Sequence, residues 1–331
     1  MNERVKRRID EWDDLAGQTI APGTSQDLDL RIGESYSGMN MTVPLHVRRG
    51  IEPGPIVFVT AAVHGNELNG TGAIRNLIRD PQLELVAGAL VLIPVVNVLG
   101  FDRHSRYLPD RRDLNRCFPG SRVGSLAKRI AWRIFDEIVN RCDYGIDLHT
   151  AAIRRTNYPV VCADTTKDTI REWALSLGTE YVVKGRGPRG ALRRQACTFG
   201  CPTVIVEGGE TWKVEAGVVS VFESGIRNAL AQLGMTAPTA QQACKSPQTI
   251  IQKARWVRAE HGGFLEFHVQ PGQRVRSGDP LVTVASLLGR GEQVMRSTMD
   301  AVVLGMTTLP ATSPGEAIVH LGDLSSAIQV S

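Results

Sequence analysis

The sequence lacks the apolar segments by which proteins cross or enter membranes. No apolar run reaches the roughly 18–20 residues that a membrane-spanning helix requires. Residues 1–17, MNERVKRRIDEWDDLAG, are strongly charged and contain no apolar stretch of the kind found in secretory signals. We therefore expect a cytoplasmic protein with no membrane partner.

The paired cysteines of structural zinc sites are also missing. The six cysteines are scattered, and the closest pair, Cys197 and Cys201, has no second pair to accompany it. We therefore expect reduced thiols, most of them buried, and no zinc site built from cysteines.

A strong excess of one charge is absent as well. The formal net charge is +4 over 331 residues, which does not indicate nucleic-acid binding. The arginines nevertheless cluster in two segments, and such clusters suit a small anionic substrate because guanidinium groups hold carboxylates in a bidentate grip. Taken singly, each arginine is better explained as part of a solvated surface. The clusters are Arg103, Arg106, Arg111, Arg112, Arg116 and Arg122, and Arg186, Arg189, Arg193 and Arg194.

Apolar runs do alternate with amphipathic stretches between about residues 45 and 235. The continuous apolar runs are typical of buried strands, and the stretches between them have helical periodicity, one of them with Ser125 as its N-cap. This alternation predicts an α/β fold, a mixed sheet with helices on both faces. The predicted strands are 55–63, 89–97, 144–150, 158–164 and 202–209, and the predicted helices are 67–80, 125–142, 168–178 and 214–234.

The character of the sequence changes after residue 235. Residues 235–250 mix Ala, Thr, Gln and Pro without periodicity and are typical of a linker. Short apolar runs separated by PG, SGDP and SPGE turns follow, which predict a small all-β domain with its own core. We therefore expect a catalytic domain over 1–244 and a C-terminal β domain over 245–331.

Two histidines and a glutamate follow predicted strands in a way that suits a metal ion. His64 and Glu67 lie three residues apart where strand 55–63 turns into a helix, and His149 ends strand 144–150. Because ligands gather at the carboxyl ends of strands in such sheets, the three side chains are expected to meet. Two histidines and one glutamate with an open water position are a common catalytic zinc set. The sequence therefore predicts one Zn²⁺ per chain.

Glu207 ends another apolar strand at the same expected edge of the sheet. A carboxylate emerging from an apolar strand is partly desolvated, which raises its pKa and suits proton transfer as a general base. Glu210 is an alternative, three residues further out, and a buried ion pair with an arginine is the structural alternative for Glu207. Asp147 has the spacing to orient His149 through its second ring nitrogen, or else to cap the following turn.

The segment RYLPDRRDLNRCFPG, residues 106–120, is the other dense polar stretch. Asn115 and Arg116 offer an amide and a guanidinium that suit a substrate carboxylate. Arg106 or Arg112 suits the oxyanion that forms when water attacks a carbonyl, and the residues alone do not decide between them. Arg112 is also retained as a substrate-binding candidate.

Four motifs in this order, VHGNE, DLNRCFPG, DLHT and VEGG, resemble the succinylglutamate desuccinylase/aspartoacylase family of the zinc carboxypeptidase clan. The resemblance implies zinc on His64, Glu67 and His149, Glu207 as general base, and Asn115 with Arg116 as a carboxylate-binding pair. Within it, Arg106 matches the carbonyl-polarising arginine better than Arg112. A further substrate arginine upstream of the catalytic glutamate matches Arg193 or Arg194.

Members of this family remove acyl groups from N-acyl amino acids, so the resemblance implies that reaction and a small-molecule N-acyl amino acid as substrate. The alternatives are a metallocarboxypeptidase acting on short peptides and a catalytically inactive protein that binds a carboxylated ligand. The C-terminal domain resembles a biotinyl or lipoyl barrel-sandwich, yet no lysine follows Lys253, which excludes a cofactor carrier. We expect that domain to shield the active site or to lie at a subunit contact of a homo-oligomer.

Overall fold

The computed structural model describes residues 15–35, 37–237 and 247–330. The expected domain boundary at 244/245 lies outside the described residues. Helices α1 to α6 are Asn69–Arg79, Val98–Phe101, Leu126–Glu137, Asp168–Ser176, Leu192–Thr198 and Ala216–Gln232, and two 3₁₀ turns are Leu114–Arg116 and Val139–Arg141. Strands β1 to β9 are Ser25–Glu34, Asn40–Arg49, Glu52–Ala61, Ala87–Ile93, Tyr144–His149, Arg155–Ala163, Tyr181–Lys184, Thr203–Glu210 and Gln248–Ile251. Strands β10 to β18 are Ala254–Arg258, Gly263–Phe267, Arg274–Val275, Pro280–Ala285, Gln293–Arg296, Ala301–Thr307, Ala311–Thr312, Ala317–Asp323 and Ile328–Val330.

The centre of the molecule is a parallel run of four strands in the order β4-β3-β5-β8. Apart from the exposed start of β3, these strands are mostly buried because helices cover both faces. One face packs against α3 and α5, and the other against α1, α4 and α6. The predicted α/β fold, a mixed sheet with helices on both faces, is confirmed.

Parallel pairing puts the carboxyl ends of β3, β5 and β8 at one edge of this sheet. The register sets His149 of β5 directly opposite Glu207 of β8. Since side chains alternate along a strand, Ile146 and Leu148 point to one helical layer, while Asp147 and His149 point to the other. The polar groups therefore share the face that carries α3 and α5.

The sheet extends well beyond the predicted strands. An antiparallel hairpin, β1–β2, adds to β4 on one side. On the other side β6 lies antiparallel to β8 and carries β15, β17 and β10 from the C-terminal part of the chain. The C-terminal strands therefore continue the same sheet that carries the polar edge.

The C-terminal part also has a four-stranded antiparallel sheet, β14-β13-β11-β16, and a separate apolar core. The small all-β unit is thus present. The linker predicted over 235–250 is wrong at its end, because residues 248–250 belong to β9, which pairs with β7. Four buried residues are too few for a periodic signal, and only their tertiary partners define the strand.

The N-cap predicted at Ser125 is confirmed. Ser125 caps α3 by accepting a hydrogen bond from the Lys128 amide at 3.4 Å.

Within residues 15–35, 37–237 and 247–330, no helix is both long and apolar enough to span a bilayer.

Candidate metal site

The two histidines and the glutamate predicted to bind metal are brought together. One donor atom from each of His64, Glu67 and His149 lies within 4.8 Å of the others. All three residues are buried, with 3%, 3% and 4% of their surface exposed. The Glu67 carboxylate lies between the rings, 2.7 Å from His64 Nδ1 and 2.8 Å from His149 Nδ1.

The loop that carries His64 and Glu67 is shaped by its packing. Ala62, directly after β3, has φ +48°, which turns the chain away from the strand direction. Gly65 then lies against the backbone of Gly100 and Phe101, and a Cβ atom there would be closer than 3.0 Å to both. Glycine is therefore required for the loop to fold back over the sheet edge.

Each imidazole is held from its far side by a carboxylate. Asp147 Oδ2 lies 2.9 Å from His149 Nε2, and Asp147 itself is fully buried and accepts a hydrogen bond from Thr60 Oγ1 at 2.8 Å. Asp113 Oδ1 lies 3.2 Å from His64 Nε2. Both rings therefore present Nδ1 to the common centre, which is the arrangement that second-shell carboxylates impose on metal-binding histidines.

The charges at this centre are strongly coupled. Burial opposes the ionisation of Glu67, but the two adjacent imidazoles outweigh it and hold the pKa of that carboxyl well below its usual range. Burial likewise opposes protonation of His149, but Asp147 and Glu67 outweigh it and raise the pKa of that imidazole. A cluster that attracts positive charge so strongly suits a divalent cation.

The three side chains fit a metal ion by the chemistry of their donors. Two imidazole nitrogens and one carboxylate converge, and both imidazoles have a second partner that fixes the ring. The donor set matches the mixed nitrogen and oxygen ligands of catalytic zinc sites. The residues 64, 67 and 149 are thus a group able to hold one metal ion.

Arg106 reaches the same cluster, whereas Arg112 does not. The Arg106 guanidinium lies 3.3 Å from Glu67 Oε1 and 3.0 Å from Asp113 Oδ2. Arg112 is exposed and pairs with Asp110 at 2.8 Å. A turn in which Arg111 has φ +61° lies between these two arginines. Of the two candidates for the oxyanion, only Arg106 therefore contacts the cluster.

Asp113 is a site residue that sequence reasoning missed. It binds His64 through Oδ1 and Arg106 through Oδ2, and Oδ1 also accepts the Asn115 amide at 2.8 Å as the cap of the 3₁₀ turn. The available signal was its position at the head of DLNR, where an aspartate before a turn is a typical cap.

Asn115 and Arg116 lie on that turn. Asn115 is buried, and its side-chain oxygen accepts the Leu192 amide at 2.8 Å. Among the described residues, none accepts a hydrogen bond from its side-chain nitrogen. Arg116 is exposed and donates to the Asn115 carbonyl at 2.8 Å. One amide donor and one guanidinium are thus held side by side.

Glu207 lies on the same face as His149, in direct register with it. Burial raises the pKa of the Glu207 carboxyl, while the nearby imidazole of His149 opposes that rise. Asn157 donates to Glu207 Oε2 at 3.0 Å. Glu210 points elsewhere, since it binds Lys213 and, at 2.8 Å, Thr308.

Arg193 is buried, whereas Arg194 is half-buried. Arg193 is only 5% exposed, and its Nη1 atom is buried without a hydrogen-bond partner in the described part of the chain. Arg194 donates to the Gly187 carbonyl at 3.0 Å. Both line a cavity of about 180 Å³ that also contains Asp164 and Lys167.

Comparison with known proteins gives one family. The model of the succinylglutamate desuccinylase/aspartoacylase catalytic domain matches residues 53–233. N-alpha-acetyl-L-2,4-diaminobutyric acid deacetylase from Halomonas elongata is 25% identical to the chain in an alignment of 318 positions, which covers 91% of this chain and 91% of that protein.

Solved structures show the same fold. A succinylglutamate desuccinylase/aspartoacylase from Rhodobacter sphaeroides superposes with a TM-score of 0.79 at 24% identity, covering 90% of this chain and 94% of that one. The product-bound ectoine utilization protein EutE (DoeB) from Ruegeria pomeroyi gives 0.78 at 23% identity, with coverages of 90% and 95%. The likeness thus extends over nearly the whole chain, including its C-terminal part.

Proposed function

The chain belongs to the succinylglutamate desuccinylase/aspartoacylase family, and we propose that it is a zinc-dependent hydrolase that cleaves the amide bond of N-acyl amino acids. The observation that carries this proposal is the buried His64–Glu67–His149 cluster with Arg106 against it and Glu207 on the neighbouring strand. The relative from Halomonas elongata is named for the same class of reaction.

In this proposal His64, Glu67 and His149 hold the zinc ion, which when bound supplies Lewis-acid activation of water. Glu207 takes a proton from the attacking water and delivers it to the departing nitrogen. The direction of the shift suits this double task, because raising the pKa of the Glu207 carboxyl brings it closer to the pH at which the same group must accept and then donate a proton. The carbon–nitrogen bond breaks, and a carboxylate and a free amine are released.

Arg106 is the group we assign to the oxyanion. Its guanidinium lies 3.3 Å from Glu67 Oε1 and is oriented by Asp113. It is therefore fixed beside the metal ligands, where negative charge develops on the carbonyl oxygen. Arg112 is engaged by Asp110 on the surface. The contacts therefore support Arg106 rather than Arg112 in this role.

Asn115 and Arg116 are the pair that we assign to the α-carboxylate of the substrate. The amide nitrogen of Asn115 and the exposed guanidinium of Arg116 both carry donors that suit a carboxylate. The buried Nη1 of Arg193, which has no hydrogen-bond partner among the described residues, suits a further anionic group, because an unpaired buried donor is costly unless a ligand satisfies it.

The experiment is a hydrolysis screen with added zinc over N-acetyl and N-succinyl amino acids, with a short peptide as the alternative substrate. We expect release of the free amino acid from at least one N-acyl compound. Glu207→Gln should keep its zinc and lose at least about a hundredfold in turnover. Glu210→Gln is the matched control and should remain close to the unmodified chain. Faster cleavage of the peptide than of any N-acyl amino acid would favour a carboxypeptidase instead.

A further inference from the structure

Asn157 touches the carboxylate assigned as general base. It lies on β6, next to β8, and its Nδ2 atom donates to Glu207 Oε2 at 3.0 Å. An ionised carboxylate only accepts hydrogen bonds, so the nitrogen of the amide must face Glu207 and the amide oxygen must face the other way.

That oxygen faces the C-terminal part of the chain. Strand β15 lies antiparallel to β6, with Gly305 directly opposite Asn157. A Cβ atom at Gly305 would be closer than 3.0 Å to Asn157 Oδ1 and to the Thr156 carbonyl. Its φ lies outside the left-handed region, so space rather than backbone conformation explains a glycine here.

The end of β15 is hydrogen-bonded to Arg154, just before β6, and to Glu210, the last residue of β8. The Thr308 amide donates to the Arg154 carbonyl at 2.9 Å, and the Thr307 hydroxyl donates to the same oxygen at 3.1 Å. The Thr308 hydroxyl donates to Glu210 Oε1 at 2.8 Å. Gly305 is therefore held in register against Asn157 and does not depend on one strand contact alone.

We propose that Asn157 is a positioning residue for Glu207, and that the C-terminal strand β15 fixes Asn157 in place through Gly305. This inference rests on the proposed role of Glu207 as general base. It gives the C-terminal unit a part in turnover, although none of its described residues belongs to the metal cluster.

The chemical reason is orientation. A glutamate side chain that must face a water molecule gains from having one oxygen fixed, which leaves the other oxygen free to take the proton. A neutral amide does this without neutralising the charge of the carboxylate. Displacement of a reacting group by about 1 Å can cost a hundredfold in rate, so a small movement of the amide is enough to matter.

The first test removes the donor. Asn157→Asp keeps the size of the side chain and replaces the nitrogen by oxygen, and Asn157→Ala removes the amide altogether. For both we expect kcat to fall about 10–100-fold, with KM within about threefold and zinc content unchanged. The matched control is Asn76→Asp, because Asn76 donates to Glu223 at 2.6 Å on the surface of the helical layer. That variant should keep full activity.

The second test asks whether Gly305 acts through Asn157. Gly305→Ala should lower kcat at least about fivefold in the unmodified chain but by no more than about twofold when combined with Asn157→Ala, since interacting residues are not additive. Gly262→Ala is the control, because a Cβ atom there meets its nearest neighbour at an ordinary 3.4 Å. The Gly262→Ala variant should leave kcat unchanged.

Unchanged kcat in Asn157→Asp would overturn the positioning role, and full multiplication of the two losses would overturn the link to Gly305. If the unmodified chain hydrolyses no N-acyl amino acid, the proposed function itself fails. In that case, crystal structures of the unmodified chain and of Gly305→Ala test the link between Gly305 and Asn157, since they need no measurement of activity. A shifted Asn157 amide and Glu207 carboxylate in the variant support the coupling, and identical positions refute it.

Discussion

Asp113 holds a metal-ligand histidine and the oxyanion arginine at the same time, so its replacement should separate two effects. Burial opposes its ionisation, but His64 and Arg106, through hydrogen bonds and charge, hold the pKa of Asp113 well below its usual range. The carboxylate therefore stays ionised under working conditions. Its Oδ1 accepts hydrogen bonds from His64 and from the Asn115 amide, and its Oδ2 accepts one from Arg106.

Asp113→Asn keeps the shape but leaves only one acceptor oxygen. Two donors, His64 and the Asn115 amide, converge on Oδ1, so the amide oxygen should remain there and the new NH₂ group should face Arg106. A lost hydrogen bond to a charged group is worth about 1.5–3 kcal/mol, which is about 10–100-fold in rate. We expect kcat/KM to fall by that factor, with zinc affinity reduced less than about tenfold.

Asp113→Ala removes both contacts, so zinc affinity and kcat/KM should fall together. The assay is hydrolysis of the best N-acyl amino acid from the screen, paired with zinc competition against a chromophoric chelator. Asp110→Asn is the matched control, because Asp110 makes a similar arginine contact with Arg112 on the surface. Full activity of Asp113→Asn, or equal losses in Asp110→Asn, would refute the assignment.

Three further predictions concern Arg106, His149 and the buried His320 of the C-terminal part. Arg106→Lys should cut kcat at least about tenfold because one ammonium group cannot reproduce the planar fork, whereas Arg112→Lys should have no measurable effect in the same assay. His149→Ala should lose zinc, and retention of one zinc per chain by elemental analysis would reject His149 as a ligand. Burial, and to a lesser degree Arg155, lower the pKa of His320 to about 4, below the usual 6.5. As the pH falls from about 6.5 to 4, the unfolded chain binds a proton that the folded chain does not. The free energy of unfolding should therefore drop by up to about 3 kcal/mol across that window, and denaturant titrations of His320→Asn should lack that part of the drop.

Periodicity predicted the central strands and four of the five helices that pack on them, because their signal is local and strong, but it did not predict the short helix α5. It did not predict the hairpin β1–β2, although DLDLRI at residues 27–32 alternates as a half-exposed strand should. Nor did it predict that β15 would join β6, because pairing between strands about 150 residues apart leaves no trace in either segment alone. The four motifs did predict the family, which the match over residues 53–233 confirms.

The two carboxylates behind the histidines show where sequence reasoning reaches its limit. Asp147 lies two residues before His149 on one strand, so the period of two puts both side chains on the same face, and their contact follows from the sequence. Asp113 lies 49 residues from His64, in a loop where Arg111 has a positive φ. No periodic pattern predicts that approach. Residues that act within one strand or helix are therefore predictable, whereas residues that act across loops, such as Asp113, require the folded chain.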